Sequence, residues 1–451
     1  MSSLVVFSND LRISDNPSLT QALKGDEKTY LCFIYDQELF HSSHGRANLW
    51  WLRKSLNELS IKIKNLGGTL NIISGTFDKK LIEITNKYHI NNVYYNLNRD
   101  PLFKKAFYEF ESKVANHVNV YRFDCSIVHN PDNCFNKSGE PFKVYTPFFK
   151  YCKLQYTNEI PLSAPKKLAT EPLNEKSLDL SLPFSESEKY WGEKFEKNWE
   201  VGEEAAQNKL RNFVEYKIKE YKVERDFPAK PSTSMLSPHL RFGEISPRQI
   251  LHYIGFSASE ELDKGSEHFA KEIYWREFSH YILHHFPFVS KKPFNKKFEN
   301  FPWKNDYRNE LHRWKYGNTG IKLIDAAMIQ LWHTGWMHNR MRMLVASYLT
   351  KNLLIHWLEG EKWFKDTLVD ADFANNVCGW QWVAGTGTDA APYFRIFNPE
   401  VQSTKFDEND EYTTKWLNIR GKEYPSLPNE EGLLVDLSDS RKRALEVFSN
   451  I

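Results

Sequence analysis

The chain has 451 residues, 41% of them hydrophobic, 26% charged and 15% aromatic, which excludes a mainly disordered protein and is long enough for two domains with cores of their own. Lys and Arg number 60 against 58 Asp and Glu, so the net charge of +2 names no partner by itself. No apolar run approaches the ~18–20 residues that cross a bilayer, and Met1–Phe7 is too short for a signal peptide; five cysteines without C-x-x-C spacing point to a reduced, cytoplasmic protein with no cysteine-held metal.

From the N-terminus, β-rich runs at Leu4–Phe7, Tyr30–Tyr35, Thr69–Ser74, Asn92–Asn96 and Val118–Phe123 alternate with helical patterns near Pro17–Leu23, Arg46–Leu66, Leu81–Tyr88 and Leu102–Ala115. Apolar strands separated by amphipathic helices predict βαβ units, hence an α/β domain over residues 1–130 with a doubly wound parallel sheet. The loop after the first strand reads Ser8-Asn9-Asp10-Leu11-Arg12 and carries no G-x-G-x-x-G, so an ordinary dinucleotide site is not expected there. Residues 131–199 read as a long interdomain connector. Between Tyr156 and Glu188 it is rich in Pro, Ser, Lys and Glu, too polar to order strongly by itself, although able to lie along a surface. After Lys194 strand signals vanish and helical periodicity dominates to about Leu368, which predicts an all-α domain over residues 200–451. There is no internal repeat.

The second half holds the unusual chemistry. Nine of the 14 tryptophans lie between Trp275 and Trp382, either as a large helical core or as an aromatic site for stacking or electron transfer. Ser290–Lys304 carries five lysines against Glu299, and Leu331–Trp357 carries Arg340, Arg342 and Lys351 with no acid; such stretches permit a polyanion partner or are simply solvated faces. Pro231–Pro238 strings small hydroxyls between prolines, giving an anion-binding loop or a helix N-cap. On a helix Glu272, Trp275 and Arg276 share one face, as a surface ion pair or as a flat platform for a base with a carboxylate beside it. In Gly335–Met343 the methionines suit a core, whereas Asn339 and the two arginines need partners. Asp370 and Asp372 can fix a cofactor; a metal is the weaker reading because no further ligands follow at EF-hand spacing. Gly385-Thr386-Gly387-Thr388 lacks the Gly-Lys-Ser/Thr ending of a P-loop, which excludes that class of kinase or ATPase.

Taken in order, "NDLRISDNPSL", "RDFPAKPSTSMLSPHLRFGEISPRQ", "EIYWREF", "TGWMHNRMRM" and "DADFANNVCGWQWVAGTGTDAAPYFRIFNP" resemble the photolyase/cryptochrome family, and within it the class I cyclobutane pyrimidine dimer photolyases. The resemblance covers nearly the whole chain. It implies an N-terminal α/β antenna-type domain, a connector that wraps the surface and a helical domain binding FAD, active as FADH⁻. A second, antenna chromophore is left open among folate (methenyltetrahydrofolate), deazaflavin, flavin and none; Lys291 falls near one of the family's folate positions. Relatives commonly carry Arg where this chain has Ser8.

Carried over motif by motif, the resemblance implies flavin contacts at Tyr221, Thr233, Ser234, Met235, Leu236 and Ser237 around the phosphates. Arg276, Asn339, Arg342, Asp370, Asp372 and Asn376 would surround the rest of the cofactor, with Asn376 facing the flavin N5 and Arg342 paired with Asp370. The implied pocket for a flipped-out dimer comprises Glu272, Trp275, Asn339, Met343 and Trp382; Arg225, Arg340 and Arg395 would hold DNA phosphates. Trp380, Trp357 and Trp303 match the family's electron route from flavin to surface.

The implied activity is light-driven electron donation from reduced FAD to a cyclobutane dimer in damaged DNA, with the electron returned and no net redox change. A monomer is expected. The rivals are a (6-4) photolyase, which uses a His pair where this chain has His338-Asn339, and a cryptochrome-type blue-light receptor. Against the receptor stand Asn376, where plant cryptochromes carry Asp, the intact pocket and the short C-terminus after Pro399. A dehydrogenase on a helical scaffold would need a nicotinamide fingerprint, which is missing.

Overall fold

The computed structural model describes residues 2–25, 28–258, 262–390, 394–423 and 432–451, the side chains of 189 and 420–423 apart. The chain divides into two compact units. One comprises Met1–Asn130, Tyr156–Tyr216 and Ser234–Leu262, the other Pro131–Gln155, Lys217–Thr233 and Asp263–Ile451.

The first unit is built on a five-stranded parallel sheet: β1 (Ser2–Val6), β2 (Lys28–Tyr35), β3 (Leu70–Ser74), β4 (Asn92–Asn96) and β5 (Asn119–Phe123). The strand order is β3-β2-β1-β4-β5, the doubly wound α/β topology that the alternating runs predict. Every residue of β1 is buried, as a central strand covered on both faces requires. Helices Pro17–Ala22, Arg46–Asn65, Phe77–Lys87 and Pro101–Val114 fall within a few residues of their expected positions. The helix Gln37–Ser43 was not expected, although Asp36 caps it by accepting from the Leu39 N–H at 3.0 Å.

In such a sheet ligands favour the crevice where the strand order reverses, here between β1 and β4. Polar side chains meet there and bond one another: Asn96 Nδ2 donates to Asp10 at 2.6 Å, to Asn16 Oδ1 at 2.8 Å and to Ser18 at 3.0 Å. Asp10 is buried, and that burial raises its carboxyl pKa despite the bonds it accepts.

The polar segment after Tyr156 lies packed within the first unit. It is laid along the β3 edge, where Leu178 N–H donates to Ile72 O at 2.7 Å and Ser177 bridges Ile73. Leu168, Leu173 and Phe184 are buried. Backbone bonds to a sheet edge need no particular side chain, so composition alone does not reveal them, and the strap protects an otherwise open edge.

Among the described residues the second unit is helical. Its longest helix is Lys264–His285, started by Asp263, whose carboxylate accepts from the Gly265 and Ser266 N–H groups at 2.9 and 3.1 Å. Helices continue well beyond Leu368: Phe373–Ala384, Pro399–Phe406, Glu411–Glu423 and Leu437–Ser449. Phe373–Ala384 holds two Asn, a Gly and two Trp, residues of modest helix propensity that blur its period. Among the described residues no helix is long and apolar enough to cross a membrane.

Candidate functional site

Ser234, Met235, Leu236 and Ser237 belong to the first unit and the remaining expected site residues to the second, so each group is described within its own unit. In the first, the N-cap position of helix Ser237–Arg241 is Leu236, with no side-chain cap, so the hydroxyl run is not spent on capping that helix. Met235 adopts φ +54°, a left-handed conformation costly for a side chain with a Cβ, and Ser234 Oγ accepts from the Leu236 N–H at 3.4 Å.

In the second unit, Asp370 is almost fully enclosed and accepts both arms of the Arg342 guanidinium, at 3.1 and 2.7 Å. Arg342 Nε also donates to Met337 O at 2.7 Å, so the expected pair is present and held in a fixed plane. Asp372 caps helix Phe373–Ala384, accepting from Asn375 N–H at 2.9 Å, and His280 Nε2 lies 3.4 Å from its carboxylate.

One turn into that helix, Asn376 Nδ2 donates to Glu361 twice, at 3.0 Å to the backbone oxygen and 2.9 Å to Oε1. Two acceptors on one side fix the amide the right way round and leave Oδ1 as an acceptor with no bond among the described residues. Burial pushes the Glu361 carboxyl pKa up, against the pull of Lys365 and Asn376. Glu361 was missed by sequence reasoning, which offers no motif for it.

An oriented amide acceptor, a fixed Arg–Asp pair and a helix-capping Asp fit the chemistry a flavin edge would need: a hydrogen-bond acceptor, a guanidinium and a carboxylate for an imide N–H. Arg276, Tyr221 and Thr233 lie in the same unit. Tyr221 is buried edge-to-face against Phe269, centroids 5.4 Å apart.

The two tryptophans expected in the pocket are linked by partners the sequence did not indicate. Trp275 stacks face to face on Tyr145, centroids 3.7 Å and planes 7° apart. Tyr145 N–H donates to Asp389 Oδ2 at 3.2 Å, while the Asp389 backbone oxygen accepts Trp382 Nε1 at 3.1 Å. Tyr145 and Asp389 therefore join the two tryptophans. Burial, and then the Glu272 charge, raise the Tyr145 pKa, which keeps its hydroxyl neutral as it donates to Lys271 O at 2.7 Å. Asn339 Nδ2 lies 4.0 Å from Met343 Sδ, as their spacing on a helix predicts.

Glu272 pairs with Arg225, and Arg340 NH2 lies 2.7 Å from Asp226. His338 is buried, caps helix Asn339–Ser347 by accepting the Arg340 N–H at 3.2 Å, and is pushed down to about 4 by burial. The carbonyl of Arg395 accepts from Lys351 Nζ, which is itself buried in a π-helical turn, Tyr348–Asn352, and lies 4.6 Å from the Phe394 ring centre. Residues 391–393 of the last motif lie outside the described residues.

The three tryptophans expected as an electron route have one neighbour that was not expected. A Cβ on Gly360 would fall 2.0 Å from Trp380 Cη2, so the Trp380 indole lies directly against helix Trp357–Thr367, one turn from Trp357. Trp357 is buried and its next aromatic contact is His356, at 5.5 Å, which in turn meets Trp303 at 5.1 Å. His356 therefore contacts both outer tryptophans.

Comparison with known proteins accords with this geometry. The DNA photolyase family model matches residues 3–166, and that for the FAD binding domain of DNA photolyase matches residues 269–430. A deoxyribodipyrimidine photo-lyase of Agrobacterium fabrum is 39% identical over 92% of this chain and 86% of its own length. Cryptochrome-1 of Arabidopsis thaliana is 33% identical over 92% of this chain and 62% of its own. The solved structure of a bacterial class III photolyase from Agrobacterium tumefaciens superposes with a TM-score of 0.90 at 37% identity, covering 100% of this chain and 97% of that one. The chain belongs to the photolyase/cryptochrome family and carries that family's FAD-binding domain.

Proposed function

We propose that this chain is a deoxyribodipyrimidine photo-lyase that binds damaged DNA and splits cyclobutane pyrimidine dimers in light. Bound, reduced FAD would supply the electron on excitation. The protein's own part is to orient, to exclude water and to place charge. Asn376 Oδ1, set by Glu361, would hold the flavin edge through an amide that has no acidic proton to give. The Arg342–Asp370 pair would place a fixed charge pair beside a bound flavin ring and help hold its reduced anion. Trp275 and Trp382 wall the dimer, Glu272 hydrogen-bonds its bases, and Asn339 and Met343 complete the pocket. Arg225, Arg340 and Arg395 would meet strand phosphates, and Trp380, Trp357 and Trp303 would provide aromatic rings for electron passage between a bound flavin and solvent.

The observation that favours a cyclobutane over a (6-4) substrate is the state of His338 and Asn339. His338 is neutral and accepts a backbone N–H as a helix cap, while Asn339 lies against Met343, so neither offers an acid. Splitting a cyclobutane ring with the electron returned needs no net proton, which suits such a site. The sequence motifs resemble class I enzymes while one similar structure is described as class III, so the proposal is framed by substrate rather than subclass.

The test is reduced, FAD-loaded protein mixed with an oligonucleotide bearing one cyclobutane thymine dimer, with absorbance near the base band followed under blue or near-UV light. Light-dependent recovery with a flat dark control is expected. No recovery on this substrate, with bound reduced FAD verified, overturns the proposal; recovery on a (6-4) substrate would redirect it.

A further inference from the structure

Arg225 and Asp226 are adjacent in sequence yet reach two different helices. Arg225 pairs with Glu272 in helix Lys264–His285, and Asp226 pairs with Arg340 in the first turn of Asn339–Ser347. Two of the three guanidiniums read as phosphate-binding, Arg225 and Arg340, therefore already hold a carboxylate of the same chain. The Arg340 side chain is 17% exposed and Asp226 36%, so the pair is open to solvent mainly on its acidic side. Arg340 is otherwise fixed: its guanidinium carbon sits 4.5 Å from the Phe406 ring centre, and its Nε is buried with no hydrogen bond among the described residues. The neighbouring His338 is neutral and does not compete for the Asp226 charge.

A carboxylate on a guanidinium has the bidentate, anionic character of a phosphodiester. We propose that Asp226 is an internal competitor for phosphate at Arg340, a positioning residue that keeps the guanidinium ordered while weakening binding to undamaged DNA. The inference rests on the DNA-binding reading above. A strand phosphate that takes Arg340 must first displace Asp226. The phosphate then releases its condensed cations, but the freed carboxylate takes up a cation in return, so this contact adds little to the salt dependence of binding. Arg225 and Glu272 follow the same pattern, with the difference that Glu272 also belongs to the dimer pocket.

The test uses FAD-loaded Asp226→Asn, which keeps shape and removes charge, with binding to undamaged and dimer-containing duplexes measured over a salt series. Expected are about fivefold tighter binding to undamaged duplex and a slope of log K against log salt steeper by about one unit. Asp226→Glu should restore the wild-type slope, and Arg340→Gln added to Asp226→Asn should abolish the gain. A purely structural brace would instead lower FAD content and thermal stability without steepening the slope. If Asp226→Asn folds poorly, Asp226→Ser carries the same measurement. Unchanged or weaker binding with an unchanged slope, in a variant that retains FAD, overturns the competitor role. If the wild-type protein itself shows no preference for dimer-containing duplex, it is the underlying repair reading that fails.

Discussion

Replacing Gly360 by alanine tests whether Trp380 is held against its helix as tightly as the geometry implies. The new Cβ would lie 2.0 Å from Trp380 Cη2, 2.4 Å from Cζ3 and 2.5 Å from Cζ2. Carbon atoms rest at ~3.5–4.0 Å, so the indole must withdraw by about 1.5 Å. Trp380 is 2% exposed and is backed by Phe364 at 5.0 Å and Trp314 at 6.1 Å, so no neighbouring space receives it. Overpacking of this kind costs about 3 kcal/mol, offset by the ~1 kcal/mol that alanine gains over glycine inside a helix. A net loss of about 2 kcal/mol is expected. Gly379 supplies the internal control: it lies on the same helix as Trp380, is exposed, and its added Cβ meets nothing within 4 Å. Gly379→Ala should be neutral or stabilising by up to ~1 kcal/mol. The assays are the urea midpoint of FAD-loaded protein and the rate at which blue light reduces its oxidised flavin in the presence of an external reductant. Gly360→Ala should lower both. Unchanged stability and photoreduction in Gly360→Ala would refute the packing and, with it, the proposed dependence of the electron route on that contact.

Two further outcomes follow from buried charge. Asp370→Asn leaves Arg342 without its forked anion; with Arg342 25% exposed, the cost should fall near the low end for a broken buried pair, about 3 kcal/mol, read as a lower denaturation midpoint and a reduced FAD-to-protein ratio. Lys351 is held down to about 7, by burial first and the Arg395 charge second. Between about pH 7 and pH 10 the unfolded chain binds the extra proton, so this residue makes stability rise with pH, by at most about 1.4 kcal/mol per unit, and below pH 7 its penalty is complete. Lys351→Met should therefore be most stabilising, relative to wild type, at pH 6 and lose that advantage by pH 10. A stability difference that does not change with pH would contradict a neutralised Lys351.

Strands were readable from the sequence as short runs rich in β-branched and aromatic residues, and β1 shows the buried kind most simply, with all five residues enclosed. Helix Phe373–Ala384 was readable as a motif rather than as a helix, its period hidden by Asn, Gly and Trp. The same contrast holds in the site. Asn376, Arg342 and Asp370 stand out as polar residues among apolar neighbours, and Asn339 with Met343 can be paired by helical spacing alone. Their partners are a different matter. Tyr145 and Asp389 are 244 positions apart, and no local pattern marks either as the link between Trp275 and Trp382. Glu361 and His356 carry no motif in the sequence; the burial of the one and the ring contact of the other with Trp303 appear only in the fold. Position along the chain encodes periodicity; contacts at long separation are decided by packing, which periodicity does not express.

The two compact units are interleaved along the chain, which passes from one to the other at 130/131, 155/156, 216/217, 233/234 and 262/263. A fragment starting near residue 200 would lack Pro131–Gln155, and with it Tyr145, the residue that backs Trp275. A fragment ending near residue 130 would lack the strap over the β3 edge and leave that edge free to pair with another molecule. Neither half can be cut out as a continuous piece and remain itself, so ribosomal synthesis must run past residue 262 before the first unit has all its parts. Until then the growing chain carries an uncompleted unit, and the helical unit begins its final stretch only after the first is whole.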